Sequence, residues 1–144
     1  MEKKYELLTG DCLRAGDRTV YRIRALRDFS DIRRGELGGY VENESALAQD
    51  GEAWVHDVAQ VYGPNGSVMD NARVRGEAWV LGRVDGDAQI CDLVVIGEDA
   101  HVGGHTILCG DEIVRGEDPQ RLEPLRTVVS SILRKHQYPA RRNG

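Results

Sequence analysis

An aliphatic residue or alanine recurs every six positions through the middle of this chain, at 41, 47, 53 and 59, then at 72, 78, 84, 90, 96, 102, 108 and 114. Strands that bury one face alternate with period two, and amphipathic helices repeat about every 3.6 residues. A sustained period of six instead predicts a parallel β-helix, in which three short segments close one triangular coil. Alanine followed two residues later by an aliphatic marks the repeat at Ala53/Val55, Ala59/Val61, Ala72/Val74, Ala78/Val80, Ala88/Ile90 and Ala100/Val102. The aliphatic side chain should fill the narrow interior, and the small residue should sit where the chain turns a corner. Glycines beside many of these pairs, such as Gly51, Gly76 and Gly86, supply the positive φ that corners need. Val61 and Val74 stand 13 residues apart rather than two repeats of six. One residue is therefore inserted, and Gly63-Pro64-Asn65-Gly66 reads as a small bulging loop.

The repeat is flanked by different patterns. Tyr5–Leu8 is short and apolar, Thr19–Leu26 alternates with period two, and Ala15-Gly16-Asp17 between them is turn chemistry. Residues 1–37 are thus expected to form a β-hairpin cap, and 38–116 the β-helix of about four coils. Within 117–144, Asp118 can cap a helix and Pro119 fits its first turn. Leu122, Leu125, Val128, Val129, Ile132 and Leu133 then make an apolar stripe at helical spacing. A C-terminal α-helix and tail are predicted there. Capping both ends would cover strand edges that otherwise invite end-to-end association.

Composition agrees with a thin solenoid: 17 glycines and one phenylalanine in 144 residues. Charge is segregated. Residues 1–34 hold nine Lys/Arg against six Asp/Glu, residues 35–120 hold four against seventeen, and residues 121–144 hold six against one. An acidic body between basic ends disfavours direct nucleic-acid binding. It leaves open a reading in which the acidic wall mimics nucleic acid and inhibits a partner. No apolar run spans a membrane, and Met1–Tyr5 has no signal-peptide core behind it. Three cysteines without a Cys-x-x-Cys pair suggest a reduced, cytoplasmic protein. Cys91 and Cys109, one coil apart, should stack at one corner. That spacing permits a disulfide, but a ladder of two thiols is the expectation. No metal site is expected, since no third cysteine or histidine shares their column.

The segment Val20-Tyr21-Arg22-Ile23-Arg24-Ala25-Leu26-Arg27-Asp28-Phe29, followed by Gly35-Glu36-Leu37-Gly38-Gly39-Tyr40-Val41-Glu42, closely resembles the opening region of YdcK-like hexapeptide-repeat proteins. The likeness runs through Leu47–Gly51 and the Ala-x-Val repeats to about residue 115. It implies a left-handed β-helix of bacterial or prophage type, and association into homotrimers is expected by analogy with such proteins. Members often carry an acyltransferase label. Such enzymes use a histidine between two subunits as general base while acyl-CoA lies along the solenoid. Here His101 and His105 are the candidates. With about 18 residues per coil, His105 should stack near Asp87 and His101 near Arg83. His56 should point outward, and His136 falls in the predicted helix.

The outer wall offers a second candidate. Trp54, His56, Arg73, Arg75, Trp79 and Arg83 lie in the middle coils. Exposed tryptophans beside arginines could hold a planar, anionic ligand such as a nucleotide at a subunit boundary. The leading expectation is a non-catalytic trimeric binding protein. It would sequester a small anionic ligand or block a host defence protein, without a cofactor. An acyltransferase using acetyl-CoA is the alternative.

Overall fold

The computed structural model describes residues 3–116; the helix predicted within 117–144 lies outside them. Two long strands, β1 (Tyr5–Ala15) and β2 (Arg18–Ala25), form an antiparallel hairpin whose register slips between Leu8 and Cys12. β2 pairs antiparallel with β3 (Leu37–Val41). From there the chain winds as a parallel β-solenoid of about four turns. Its rungs are two-residue strands: β4 (Trp54–Val55), β5 (Gln60–Val61), β6 (Ser67–Val68), β7 (Arg73–Val74), β8 (Trp79–Val80), β9 (Arg83–Val84) and β10 (Gln89–Ile90). β11 (Val95–Ile96), β12 (His101–Val102), β13 (Ile107–Leu108) and β14 (Ile113–Val114) complete them. The only helical piece among the described residues is a short 3-10 turn, Glu44–Ala46.

Three walls result. The hairpin, β3, β5, β8, β11 and β14 make the first; β6, β9 and β12 the second; β4, β7, β10 and β13 the third. The second residue of each rung points inward. Val41, Val55, Val61, Val74, Val80, Val84, Ile90 and Ile96 are all fully buried, with Ala53, Ala59, Ala72, Ala78 and Ala88 at the corners beside them. This is the division between aliphatic and small positions that the repeat predicts. An isolated bridge from Leu47 to Val68 starts the second wall.

Corners are built from a carboxylate ladder. Asp57, Asp70 and Asp92 adopt φ of 57°, 61° and 60°, a left-handed conformation that short polar side chains tolerate. Each carboxylate accepts a hydrogen bond from the backbone N–H of a glycine one coil on: Gly76 (2.9 Å), Gly86 (2.9 Å) and Gly110 (3.0 Å). Corner N–H groups that a bend would strand are thereby satisfied.

The coils differ in length. The first-wall register advances 19 residues from Val61 to Val80, 16 from Val80 to Ile96 and 18 from Ile96 to Val114. Among these three coils the variation lies at the corner from first to second wall, which takes seven residues from Val61 to Val68, four from Val80 to Val84 and six from Ile96 to Val102. The coil before them, from Val41 to Val61, takes 20, its extra residues lying between Leu47 and Val55. The inserted residue is where the sequence places it. The two-residue deletion is a second irregularity that the sequence conceals. At the shortened corner a Cβ on Gly82 would stand 2.2 Å from the Gly97 carbonyl oxygen and 2.5 Å from that of Ala100, so only glycine fits. The 62–66 loop reaches past this corner, and Asn65 Nδ2 donates to the Glu98 carbonyl (3.0 Å).

The N-terminal segment covers the top of the third wall. Phe29 meets Trp54 edge-on at 5.4 Å between centroids and Tyr5 does so at 6.4 Å, and Ile32 is buried in the same cluster. Lys4 is fully buried with them, its Nζ donating to the Ala53 carbonyl (2.8 Å). Burial, then the nearby Arg27 charge, lowers its pKa to about 8.

Candidate functional site

The outward positions of the second wall carry the best-defined polar cluster. In register, Ser67, Arg83 and His101 form one outward column. Asp85, two residues beyond Arg83, points to the same side. Arg83 Nε donates to Asp85 Oδ2 at 2.9 Å, and His101 Nε2 lies 2.9 Å from both carboxylate oxygens. Burial alone would raise the Asp85 carboxyl pKa. The hydrogen bonds and charges of His101 and Arg83 outweigh it and hold the carboxyl below its ordinary range. Only 13% of the Asp85 side chain is exposed, against 57% for His101. A shielded carboxylate therefore grips an imidazole that faces solvent. With Nε2 on the carboxylate, Nε2 carries the hydrogen, and in the neutral form of the ring Nδ1 presents a lone pair.

His105 pairs with Asp87 as the coil length predicts, at 3.3 Å between Nδ1 and Oδ2. Its side chain is 88% exposed, so the contact is solvated. His101 does stack in register on Arg83, but its partner is Asp85. Rung arithmetic locates neighbours directly above and below. It does not find a contact to the next outward residue along the adjacent strand.

The six residues proposed from sequence as a ligand pocket are not brought together within one chain. Trp54 and Arg73 lie in register on the third wall, with His56 and Arg75 just after them. Trp79 stands on the first wall and Arg83 on the second. The expectation of two exposed tryptophans is corrected: Trp54 is fully buried and Trp79 is 9% exposed. Trp54 occupies an outward position, but the Lys4–Tyr5 and Phe29–Ile32 segments roof it over. Arg73 is enclosed by the same segments and pairs with Asp31 at 2.9 Å, 3.3 Å from His56 Nε2. Burial, then the charges of Arg75 and Arg73, lowers the His56 pKa to about 4, so this ring is neutral at pH 7. Arg75 and Arg83 remain exposed.

A cleft of about 490 Å³, unmarked in the pattern of the repeat, lies between the hairpin turn, the inserted loop and the first wall. Gly16 and Arg18 form one side, Tyr62 and Pro64 another, and Trp79 with Leu81 the floor. Glu42 ties its rim together, accepting from Arg18 (2.7 Å) and from the Gly63 N–H (2.8 Å). The cleft exists because the loop with one residue too many lies over the corner with two too few.

Cys91 and Cys109 do stack on adjacent coils, with Cα atoms 4.7 Å apart, and are joined as a disulfide rather than left as thiols. Register explains this, since parallel rungs hold the pair within a disulfide's span. Cys12 is free and exposed.

The chain resembles YdcK. Over 63 residues it is 32% identical to the Uncharacterized acetyltransferase YdcK of Escherichia coli (strain K12), a match covering 44% of this chain and 19% of that protein. The chain thus spans about a fifth of the length of the curated relative it matches. No protein-family model matches the chain. Among the described residues, no helix is long and apolar enough to cross a membrane.

Proposed function

We propose that the second wall is the base-bearing wall of an acyl-transfer site. The observation that carries the reading is the solvent-facing His101 imidazole held through Nε2 by the shielded Asp85 carboxylate. In this reading His101 Nδ1 takes a proton from an acceptor amine or hydroxyl. The acceptor attacks the carbonyl carbon of an acyl thioester, the carbon–sulfur bond breaks, and the departing thiolate takes the proton from the imidazolium. Asp85 keeps the tautomer and stabilises the transient positive ring. The name of the E. coli relative is consistent with acetyl-CoA as donor. The reading takes the solenoid as left-handed and the working form as a homotrimer, with the acceptor bound in a cleft between copies. Thiol release from acetyl-CoA across a panel of amines and hydroxyls tests it. His101→Ala should abolish turnover, and Asp85→Asn should lower kcat by about a hundredfold or more. Turnover that survives His101→Ala, or is lost only in His105→Ala, sinks the assignment.

A second reading is favoured by the cleft beside Trp79: a trimeric protein that holds a small ligand, or covers a partner such as a host defence protein, without chemistry. Trp79, Arg83 and Arg75 lie on different walls, so they could serve one anionic ligand only where neighbouring copies meet. Stabilisation by nucleotides in a thermal-shift screen, lost in Arg75→Ala, would favour it. A monomer in sedimentation equilibrium would remove it.

A further inference from the structure

We propose that, with their disulfide reduced, Cys91 and Cys109 together with Asp92 form a site for a thiophilic divalent cation such as zinc. The cluster lies at a different corner of the coil from the His101–Asp85 pair. The sulfurs of Cys91 and Cys109 and a carboxylate oxygen of Asp92 all lie within 4.8 Å of one another. Two thiolates sharing one tetrahedral ion, each at about 2.3 Å from it, need their sulfurs roughly 3.8 Å apart. Parallel side chains on adjacent rungs with Cα atoms 4.7 Å apart meet that spacing without backbone movement. The fold therefore preorganises the pair for two metal–sulfur bonds as readily as for one sulfur–sulfur bond.

Asp92 is the ligand that column arithmetic overlooks, because it lies one residue along from the cysteine column. It is already fixed. Its left-handed backbone turns the corner, and its Oδ2 accepts from the Gly110 N–H at 3.0 Å, leaving Oδ1 available. That bond orients the carboxylate as an outer partner orients a metal ligand. Cys91 is half-buried while Cys109 and Asp92 are exposed, so a cation can enter and water can fill the fourth position. Two thiolates and a carboxylate bring three negative charges to one dication, within a segment (residues 35–120) that holds seventeen Asp/Glu against four Lys/Arg. Arg75 precedes Cys91 in the same column, one coil earlier. Soft thiolates select zinc, cadmium or cobalt over magnesium or calcium.

A dithiol reductant supplies two electrons and two protons to open the disulfide, and each thiol releases its proton to solvent as the metal binds. The oxidised and metal-bound forms are mutually exclusive states of one pair of sulfurs. The test uses the full chain, reduced and freed of reductant without oxygen, then titrated with cobalt chloride. A thiolate-to-cobalt charge-transfer band in the near ultraviolet is expected at one equivalent, and zinc should displace it. It should vanish in Cys91→Ser and in Cys109→Ser and persist in Cys12→Ser. In Asp92→Asn, which can keep its carbonyl bond to Gly110, affinity should fall by at least about tenfold. Far-UV circular dichroism of each variant confirms that it is folded. Absence of the band in the reduced wild type, or its loss only in Cys12→Ser, overturns the proposal. Unchanged affinity in Asp92→Asn removes Asp92 from the site and overturns the three-ligand form.

Discussion

Trp54 tests whether the third wall is a roofed core or an open binding surface. The residue is fully buried, and its ring meets Phe29 at 5.4 Å and Tyr5 at 6.4 Å in edge-on geometry. Truncating such a ring to alanine removes its burial and leaves a cavity under the N-terminal segment, at a cost of about 3–5 kcal/mol. One term opposes this. Trp54 Nε1 is buried without an acceptor, and its removal with the ring returns about 1 kcal/mol. The net loss for Trp54→Ala is then about 3 kcal/mol, equivalent to a Tm drop of roughly 10 °C in a chain of this size. Trp54→Phe keeps most of the apolar surface and discards the orphan N–H, so it should fall within about 1 kcal/mol of the native protein. Urea unfolding of the full chain followed by far-UV circular dichroism measures both. If Trp54→Ala costs less than about 1 kcal/mol, or Trp54→Phe costs as much as alanine, the ring is not the roofed core residue described above.

Two further outcomes follow from the corners and the buried polar groups. Gly82→Ala should lose at least about 2 kcal/mol, because its Cβ meets backbone oxygens whose retreat would break the Arg83 N–H bond to Ala100. Gly104→Ala, with φ of +62° but open space around it, should lose only about 1 kcal/mol; equal losses in denaturant midpoints would refute the steric account. His56 has a pKa of about 4 when folded, against about 6.5 unfolded. The unfolded chain binds more protons between those values, so the stability His56 contributes above pH 6.5 is lost as the pH falls towards 4. After allowance for its partial exposure the loss is on the order of 1–2 kcal/mol. Urea midpoints at pH 4.5 and 7 should therefore differ less in His56→Gln than in the native chain, and an equal difference would contradict the assignment.

Much of the architecture was legible because a solenoid writes its geometry into one dimension. Interior aliphatics, corner alanines and the loop at Gly63–Gly66 could be read directly, as could the stacking of His105 on Asp87 and of Cys91 on Cys109. The deletion at Val80–Val84 could not. Ala78 and Val84 are six apart, so the series looks unbroken there. It has in fact crossed from the small corner position to the aliphatic interior position, and the two missing residues equal the offset between them. The Asp85–His101 contact was missed for a related reason, since it runs diagonally between rungs. Trp54 was placed on the correct side of its strand but given the wrong surroundings, because strand alternation does not say what covers an outward side chain.

The sequence by itself determined the coil, its interior and its acidic body, since each rung's environment is set by neighbours at a nearly fixed spacing along the chain. Tertiary structure alone decided which outward residues face solvent. The N-terminal segment, distant in sequence, folds back over the third wall and buries Trp54 and Arg73. The inserted loop and the shortened corner together open the cleft beside Trp79. These contacts depend on how walls and flanking segments meet in space, and no period along the chain records that.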